Sequence, residues 1–188
     1  MDHPIKLVVT DDLRRNRLTV FFRLLLAIPH FIWLYLWSIA ALVVFVIAWF
    51  AALFPKRVPA GMHGFLASYL RYQVHVMAYI SLAADPYPAF GGSTDYPIDA
   101  VIAPPEEQGR LGVFFRGLLA LPALFLSSAM NYLVYVIVFF AWFVCLATGR
   151  MPEGMRNLMA FTIRYHAQTQ AYYFLLTSRY PSLNVGLE

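Results

Sequence analysis

The sequence predicts an all-α membrane protein: four transmembrane helices built as two tandem helical-hairpin repeats, each with an interfacial amphipathic helix and a short N-terminal strand. Three observations predict it. Residues are 61% hydrophobic and only 13% charged, with a mean hydropathy of +0.62, against about 45–50% and about 25% in soluble domains. Residues 2–94 align without a gap on residues 95–187 and are identical at 31 of 93 positions, several times the chance expectation. Each copy also carries a run of more than 20 uncharged, apolar residues, the length that crosses a hydrocarbon core.

The identities cluster into motifs. Asp2-x-Pro4-Ile5 returns as Asp95-x-Pro97-Ile98. Arg17-Leu-Thr-Val-Phe-Phe-Arg23 returns as Arg110-Leu-Gly-Val-Phe-Phe-Arg116, each followed by a proline, Pro29 and Pro122. Ala48-Trp49-Phe50, Arg57-x-Pro59-x-Gly61-Met62, Arg71-Tyr72 and Tyr87-Pro88 all recur 93 residues later. In these motifs the chain resembles a small bacterial membrane family, domain of unknown function 4389, once per repeat over essentially the whole length. The resemblance implies the duplicated membrane architecture. It brings no assigned activity and no catalytic residue.

The first repeat, 2–94, opens with Pro-Ile-Lys-Leu-Val-Val-Thr, a β-branched run suited to a strand. Its counterpart in the second repeat, 95–187, is Pro97 to Ala103. A lone strand has no partner for its hydrogen bonds, so two copies related by a pseudo-two-fold axis would pair antiparallel. In the lead-in, Leu18, Phe21, Phe22, Leu25 and Leu26 share one helical face and leave Arg17, Thr19 and Arg23 off it. Such a basic, aromatic, amphipathic stretch predicts a headgroup-level helix over 16–29, and over 109–122 in the second copy, broken by Pro29 and Pro122. Arg17, Arg23, Arg110 and Arg116 are the predicted interfacial anchors.

Spans follow at 31–54 and 123–147, with Trp33, Tyr35, Trp37 and Trp49 placed for aromatic belts. Pro/Gly turns reverse the chain into second helices at 62–84 and 155–177. These carry polar residues, and one central arginine alone costs about 2.5–3.5 kcal/mol on insertion scales. The repeats keep one face of them in common: Ala67, Arg71, Tyr72, Ala78, Tyr79 and Leu82, matching Ala160, Arg164, Tyr165, Ala171, Tyr172 and Leu175. An alanine, tyrosine and arginine face predicts close packing with polar groups turned inward. The Pro/Gly-rich stretch 85–109 links the repeats.

Fourteen Lys and Arg against 10 Asp and Glu give a net charge of +4. Because the arginines flank apolar runs, attraction to anionic lipid is expected and nucleic acid is not. Eight basic residues (Lys6, Arg14, Arg15, Arg17, Arg23, Arg110, Arg116 and Arg179) fall on one side of a four-span arrangement. Four (Lys56, Arg57, Arg150 and Arg156) fall on the other. The expectation is a multi-pass plasma-membrane protein with both termini cytoplasmic. The mixed-charge N-terminus is unlike a secretory signal, so the first span would serve as an uncleaved anchor. The single cysteine, Cys145, allows no intrachain disulfide.

Candidate chemistry is sparse. Arg71 and Arg164 have no carboxylate in the surrounding helix sequence, and intramembrane charges face bundle interiors or ligands. With Tyr72 and Tyr165 they form the predicted lipid- or ligand-binding set. The histidines invite a haem reading, but His75 and His166 are not repeat-equivalent. Ser127, Ser128 and Cys145 show no neighbouring base in the pattern. No catalytic residue, metal site or cofactor is predicted. The expected role is a non-enzymatic accessory or scaffold subunit with a membrane-protein partner or a second copy of itself. The alternative is lipid or amphiphile binding at the repeat interface through Arg71 and Arg164.

Overall fold

The computed structural model describes residues 3–54 and 56–184. Asp2 of the repeat motif, Pro55 of the first turn and the last residues of the second repeat lie outside them. The elements run β1 (Ile5–Val9), α1 (Arg17–Leu53), α2 (Ala60–Ile80), β2 (Ile98–Ile102), α3 (Arg110–Phe114), α4 (Arg116–Thr148) and α5 (Glu153–Tyr173).

The two β-branched runs pair with each other, antiparallel, with Ile5 opposite Ile102, Leu7 opposite Ala100 and Val9 opposite Ile98. Leu7 and Ala100 are the same position of the two repeats, 93 residues apart. The pseudo-two-fold axis therefore passes between them. The flanking bonds obey it too: Thr10 N donates to Pro97 O (2.8 Å) and Ala103 N to Pro4 O (3.1 Å).

Three layers stack along that axis. The sheet packs on α2 and α5, which also pack on each other. On their far side α1 lies on α2, and α4 on α5, while neither long helix touches a strand. The inner stripe of α1 is Val20, Arg23, Ala27, His30, Ala41, Ala48 and Ala52, mostly small residues at helical spacing that admit close approach. Its remaining surface is large, apolar and exposed, as is that of α4.

Each repeat grips the other by the ends of its long helix. Trp49 Nε1 donates to Val113 O (2.8 Å), and its equivalent, Trp142 Nε1, donates to Val20 O (3.1 Å). Arg17 reaches Ala147 O (2.9 Å) and Arg110 reaches Phe54 O (3.2 Å), each supplying a donor to carbonyls at the last turn of the other helix. Arg15 N to Gly149 O (3.0 Å) and Gln108 N to Lys56 O (2.7 Å) complete the set. Gly149 and Lys56 are equivalent and both left-handed, with φ 69° and 59°. Glycine takes that backbone at no steric cost; Lys56 does not.

Several expectations need correction. Among the described residues only α1 and α4 are long and apolar enough to cross a membrane, so four transmembrane helices are not found there. The second helices, displaced to Ala60–Ile80 and Glu153–Tyr173, are interior. Their polar groups bond within the protein, as when Gln168 Nε2 donates to Ile5 O (3.2 Å) and its Oε1 accepts from Ser182 N (3.0 Å). Nor are 16–29 and 109–122 separate helices ending at the prolines. Pro29 and Pro122 lie inside continuous helices, on exposed positions where the ring points away from the packing and one hydrogen bond is forgone. The only interruption is at Phe115, between Gly112 and Gly117, which replace Thr19 and Leu24 of the first copy. Two glycines weaken the helix there.

Because the two tryptophan bonds sit at opposite ends of the long helices, Trp49→Phe and Trp142→Phe should each cost about 1 kcal/mol. They should add in the double variant. Thermal unfolding of the detergent-solubilised protein checks this; a double variant no less stable than either single one would contradict the equivalence of the two ends.

Candidate functional site

Arg71, one of the predicted ligand residues, is not alone. It projects from α2 onto the sheet, with Nε 3.2 Å from Ala100 O and 3.3 Å from Asp99 Oδ1. One turn further along, His75 meets the same carboxylate oxygen through Nε2 at 2.7 Å, and its ring stacks on Tyr96 at 4.6 Å. The expectation of an arginine without a carboxylate fails because the partner comes from β2, 28 residues downstream. Comparing the repeats could not reveal it, since the position equivalent to Asp99 holds Lys6. The second repeat therefore cannot reproduce the cluster. Arg164 is 6% exposed with its guanidinium 5.4 Å from the Phe161 ring centre. Tyr72 and Tyr165 are buried, Tyr72 with its hydroxyl 2.5 Å from His30 Nδ1.

His30 also anchors the connector to α1, its ring stacked on Phe90 at 4.9 Å and beside Tyr87 at 4.3 Å. Gly92 lets the same connector lie close against the backbone of α2. At φ +73° a side chain there would be strained, and its Cβ would sit 3.2 Å from Ser68 O.

The lead-in arginines divide. Arg17 and Arg110 are exposed. Arg23 and Arg116 do not lie at the exposed surface expected of anchors: they are 3% and 2% exposed and hold the ends of the second helices. Arg23 lies over the Tyr79 ring (4.5 Å) and donates to Tyr79 O, Ala84 O and Asp85 Oδ1 at 2.8, 3.1 and 2.6 Å. Arg116 lies over Tyr172 (4.1 Å) and donates to Thr177 O (3.2 Å) and Gln108 Oε1. The amphipathic pattern had placed Arg23 off the apolar face, which is right. It could not say that this polar side turns toward protein.

Each copy solves the same local problem with different acids. Asp85 serves the first; its counterpart is Ser178, and there Glu106 supplies the carboxylate, accepting from Ser178 N (2.6 Å), Ser178 Oγ (2.9 Å) and Thr177 Oγ1 (3.0 Å). Burial pushes the Glu106 carboxyl up, but those donors and Arg179 outweigh it and hold the group below its ordinary range. Leu82 and Leu175 close the two helices, both left-handed at φ 62° and 61° and both buried. Their carbonyls accept from Arg15 Nε (2.8 Å) and Gln108 Nε2 (2.6 Å). A leucine held in that backbone is tolerated because its side chain belongs to the core.

Two grooves flank these arginines. One of about 360 Å³ is lined by Arg23, Leu24, Val138, Phe139 and Trp142. The other, about 390 Å³, takes the equivalent Arg116, Gly117, Phe45, Val46 and Trp49. In both arginines Nε is buried without an acceptor.

A serine–histidine contact went unseen in the sequence: Ser127 Oγ lies 3.0 Å from His166 Nδ1, with Asn131 Nδ2 at 3.4 Å. Its members lie 39 residues apart on α4 and α5, and the first copy has Leu34 and Gln73 instead. His166 keeps some exposed surface, but Nε2 is buried without a partner and burial pushes the imidazole down to about 4. A ring that stays neutral and weakly basic at pH 7, with no carboxylate on its far nitrogen, is poorly suited to activating the hydroxyl. No group of three or more His, Cys, Asp or Glu side chains that could hold a metal occurs among the described residues.

A family model, Domain of unknown function (DUF4389), matches twice, at residues 17–91 and 110–183. The chain belongs to this family. The two matches reproduce the offset between the repeats, and both begin at the lead-in arginine, leaving β1 and β2 outside. No curated protein and no solved structure matches.

His166 yields a pH test. Its folded pKa lies below the unfolded value of 6.5, so between about pH 6.5 and 4 the unfolded chain binds the extra proton and stability falls as pH falls. His166→Gln, which restores the residue found in the first copy, should flatten that part of the thermal-unfolding profile relative to wild type. Superimposable profiles would remove His166 as the cause.

Proposed function

We propose that this protein is a non-enzymatic, membrane-embedded accessory or scaffold subunit. One observation carries the reading. The polar groups of the interior are mostly spent on bonds within and between the two repeats, while the outward side of α1, α3 and α4 is a continuous field of large apolar residues. Leu18, Leu24, Leu111, Phe125 and Tyr132 are each about 70% exposed or more. A field of that size is foreign to a soluble monomer and marks a surface meant for lipid or another membrane protein. Arg17 and Arg110, exposed at its rim, suit anionic headgroups. The protein then contributes shape and attachment, with a membrane-protein partner or a second copy on part of the field. Affinity purification from native membrane in mild detergent should recover a reproducible partner or a homo-oligomer. A lone monomer under every mild condition would overturn the reading.

The two arginine-flanked grooves favour a second reading, lipid or amphiphile binding, at Arg23 and Arg116 in place of Arg71 and Arg164. Both grooves are apolar, and both open among exposed residues of the long helices. A Cβ at Gly117 would meet nothing within 4 Å. Gly117→Trp and Leu24→Trp should therefore fill the grooves and lower the number of lipids retained per chain in native mass spectrometry. Unchanged lipid counts would end this reading.

A further inference from the structure

We infer that the protein occupies one leaflet of the bilayer, with its long helices lying in the membrane plane and no helix crossing to the other side. The inference rests on the membrane placement proposed above and adds a topology to it.

The argument begins with the symmetry. Val20 and Val113 are equivalent, and so are Trp49 and Trp142. Trp49 bonds Val113, and Trp142 bonds Val20. The path from Val20 to Trp49 is therefore retraced backward by the path from Val113 to Trp142. A two-fold rotation leaves the component of any vector along its axis unchanged. A vector that it reverses has no such component, so the two ends of α1 lie at one height along the axis, and likewise those of α4. The same reasoning applies to the inner pair: His63, near the start of α2, meets Leu176 O just beyond the end of α5 (3.4 Å), which sets α2 and α5 antiparallel as well. Every long helix thus runs across the axis.

The axis itself passes through the sheet, between Leu7 and Ala100. Were it in the membrane plane, the sheet would lie at mid-bilayer depth. Each strand of a two-stranded sheet keeps one edge of backbone groups without a ladder partner, and hydrocarbon cannot satisfy them. Lys6, Arg71 and Asp99 would share that depth, at several kcal/mol each. With the axis along the membrane normal, the sheet and the charges packed beneath it lie on the water side. The layer farthest from it, α1 and α4, then presents its apolar field to lipid.

Dimensions agree. At 1.5 Å per residue the 37 residues of α1 extend about 55 Å. With its arginine-bearing first turns outside, keeping the uncharged Leu24–Leu53, about 45 Å, inside a ~30 Å core would still require a tilt near 50°, beyond the 0–40° found for spanning helices. A helix about 10 Å thick lying flat fits within a leaflet of about 15 Å. The narrow buried stripe of α1, with apolar residues on its other sides, is what such a position requires.

The unaltered chain supplies the test, because Lys6 and Lys56 are its only lysines. One belongs to the sheet and the other follows the end of α1. An impermeant amine-acylating reagent is applied to sealed membrane vesicles of known orientation, right-side-out and inverted, and the two sites are read by mass spectrometry. Acylation of both lysines in one vesicle orientation and of neither in the other is expected. Lys6 and Lys56 reacting from opposite faces would mean that α1 crosses, and would overturn the inference. Retention of the protein in carbonate-washed membranes is scored on the same samples. Its loss would defeat the membrane placement itself, so the two failures are separable.

Discussion

The arrangement depends on an exchange of ends. The indole of each long helix donates to a carbonyl at the start of the other, and the neighbouring arginine returns a donor to its partner's last turn. These contacts cross between repeats. They fix α1 and α4 antiparallel, and with them the height of every element on the symmetry axis. The buried alanines at 48 and 141 allow the helices close enough for the indoles to reach. A tryptophan N–H usually finds an acceptor when buried, so these bonds also satisfy the two half-buried indoles.

Much of this was legible in advance, for a physical reason. Duplication prints the same constraints twice, so what both copies keep is what the common scaffold needs. The strand run, Arg17, Arg23, Trp49, Arg71, Tyr72, Tyr79 and Leu82 all recur, and most prove to be buried or to bond across an interface. The shared face of the second helices pointed to interior packing, and the paired strands followed from the requirement that neither could stand alone. What stayed hidden were contacts present in only one copy. Asp99 faces Lys6 in the comparison, Asp85 faces Ser178, and Glu106 faces Leu13. Each carboxylate therefore looked incidental although each is held by several donors. The Ser127–His166 contact had no counterpart to mark it.

The helix boundaries went wrong through a competition the sequence does not display. Proline disfavours a helix interior locally, but at Pro29 and Pro122 the packed stripe on both sides holds the helix through it, at the loss of one bond. Glycines on either side of Phe115, which look milder, do produce a break, because two of them loosen adjoining turns. The number of spans turns on a similar competition. Hydropathy correctly found α1 and α4 apolar, yet length and apolarity alone do not say whether a helix runs through a membrane or along it. That depends on how its ends are tied, which is a tertiary fact.

The strand pair also governs how the molecule can come into being. Ile5 to Val9 emerges from the ribosome well before its ladder partner, Ile98 to Ile102, which is made some 93 residues later. Until then the first strand has no complement within its own repeat, and the start of α1 waits still longer for Trp142. The first repeat can collapse locally, α1 on α2, but its hydrogen-bonding is completed only by the second. Long-range closure of this kind is slow and leaves apolar surface and strand edges unprotected in the interval. A chain carrying a single copy would face that deficit permanently, and its simplest remedy would be a second molecule of itself, with β1 pairing across the dimer axis where β2 stands now.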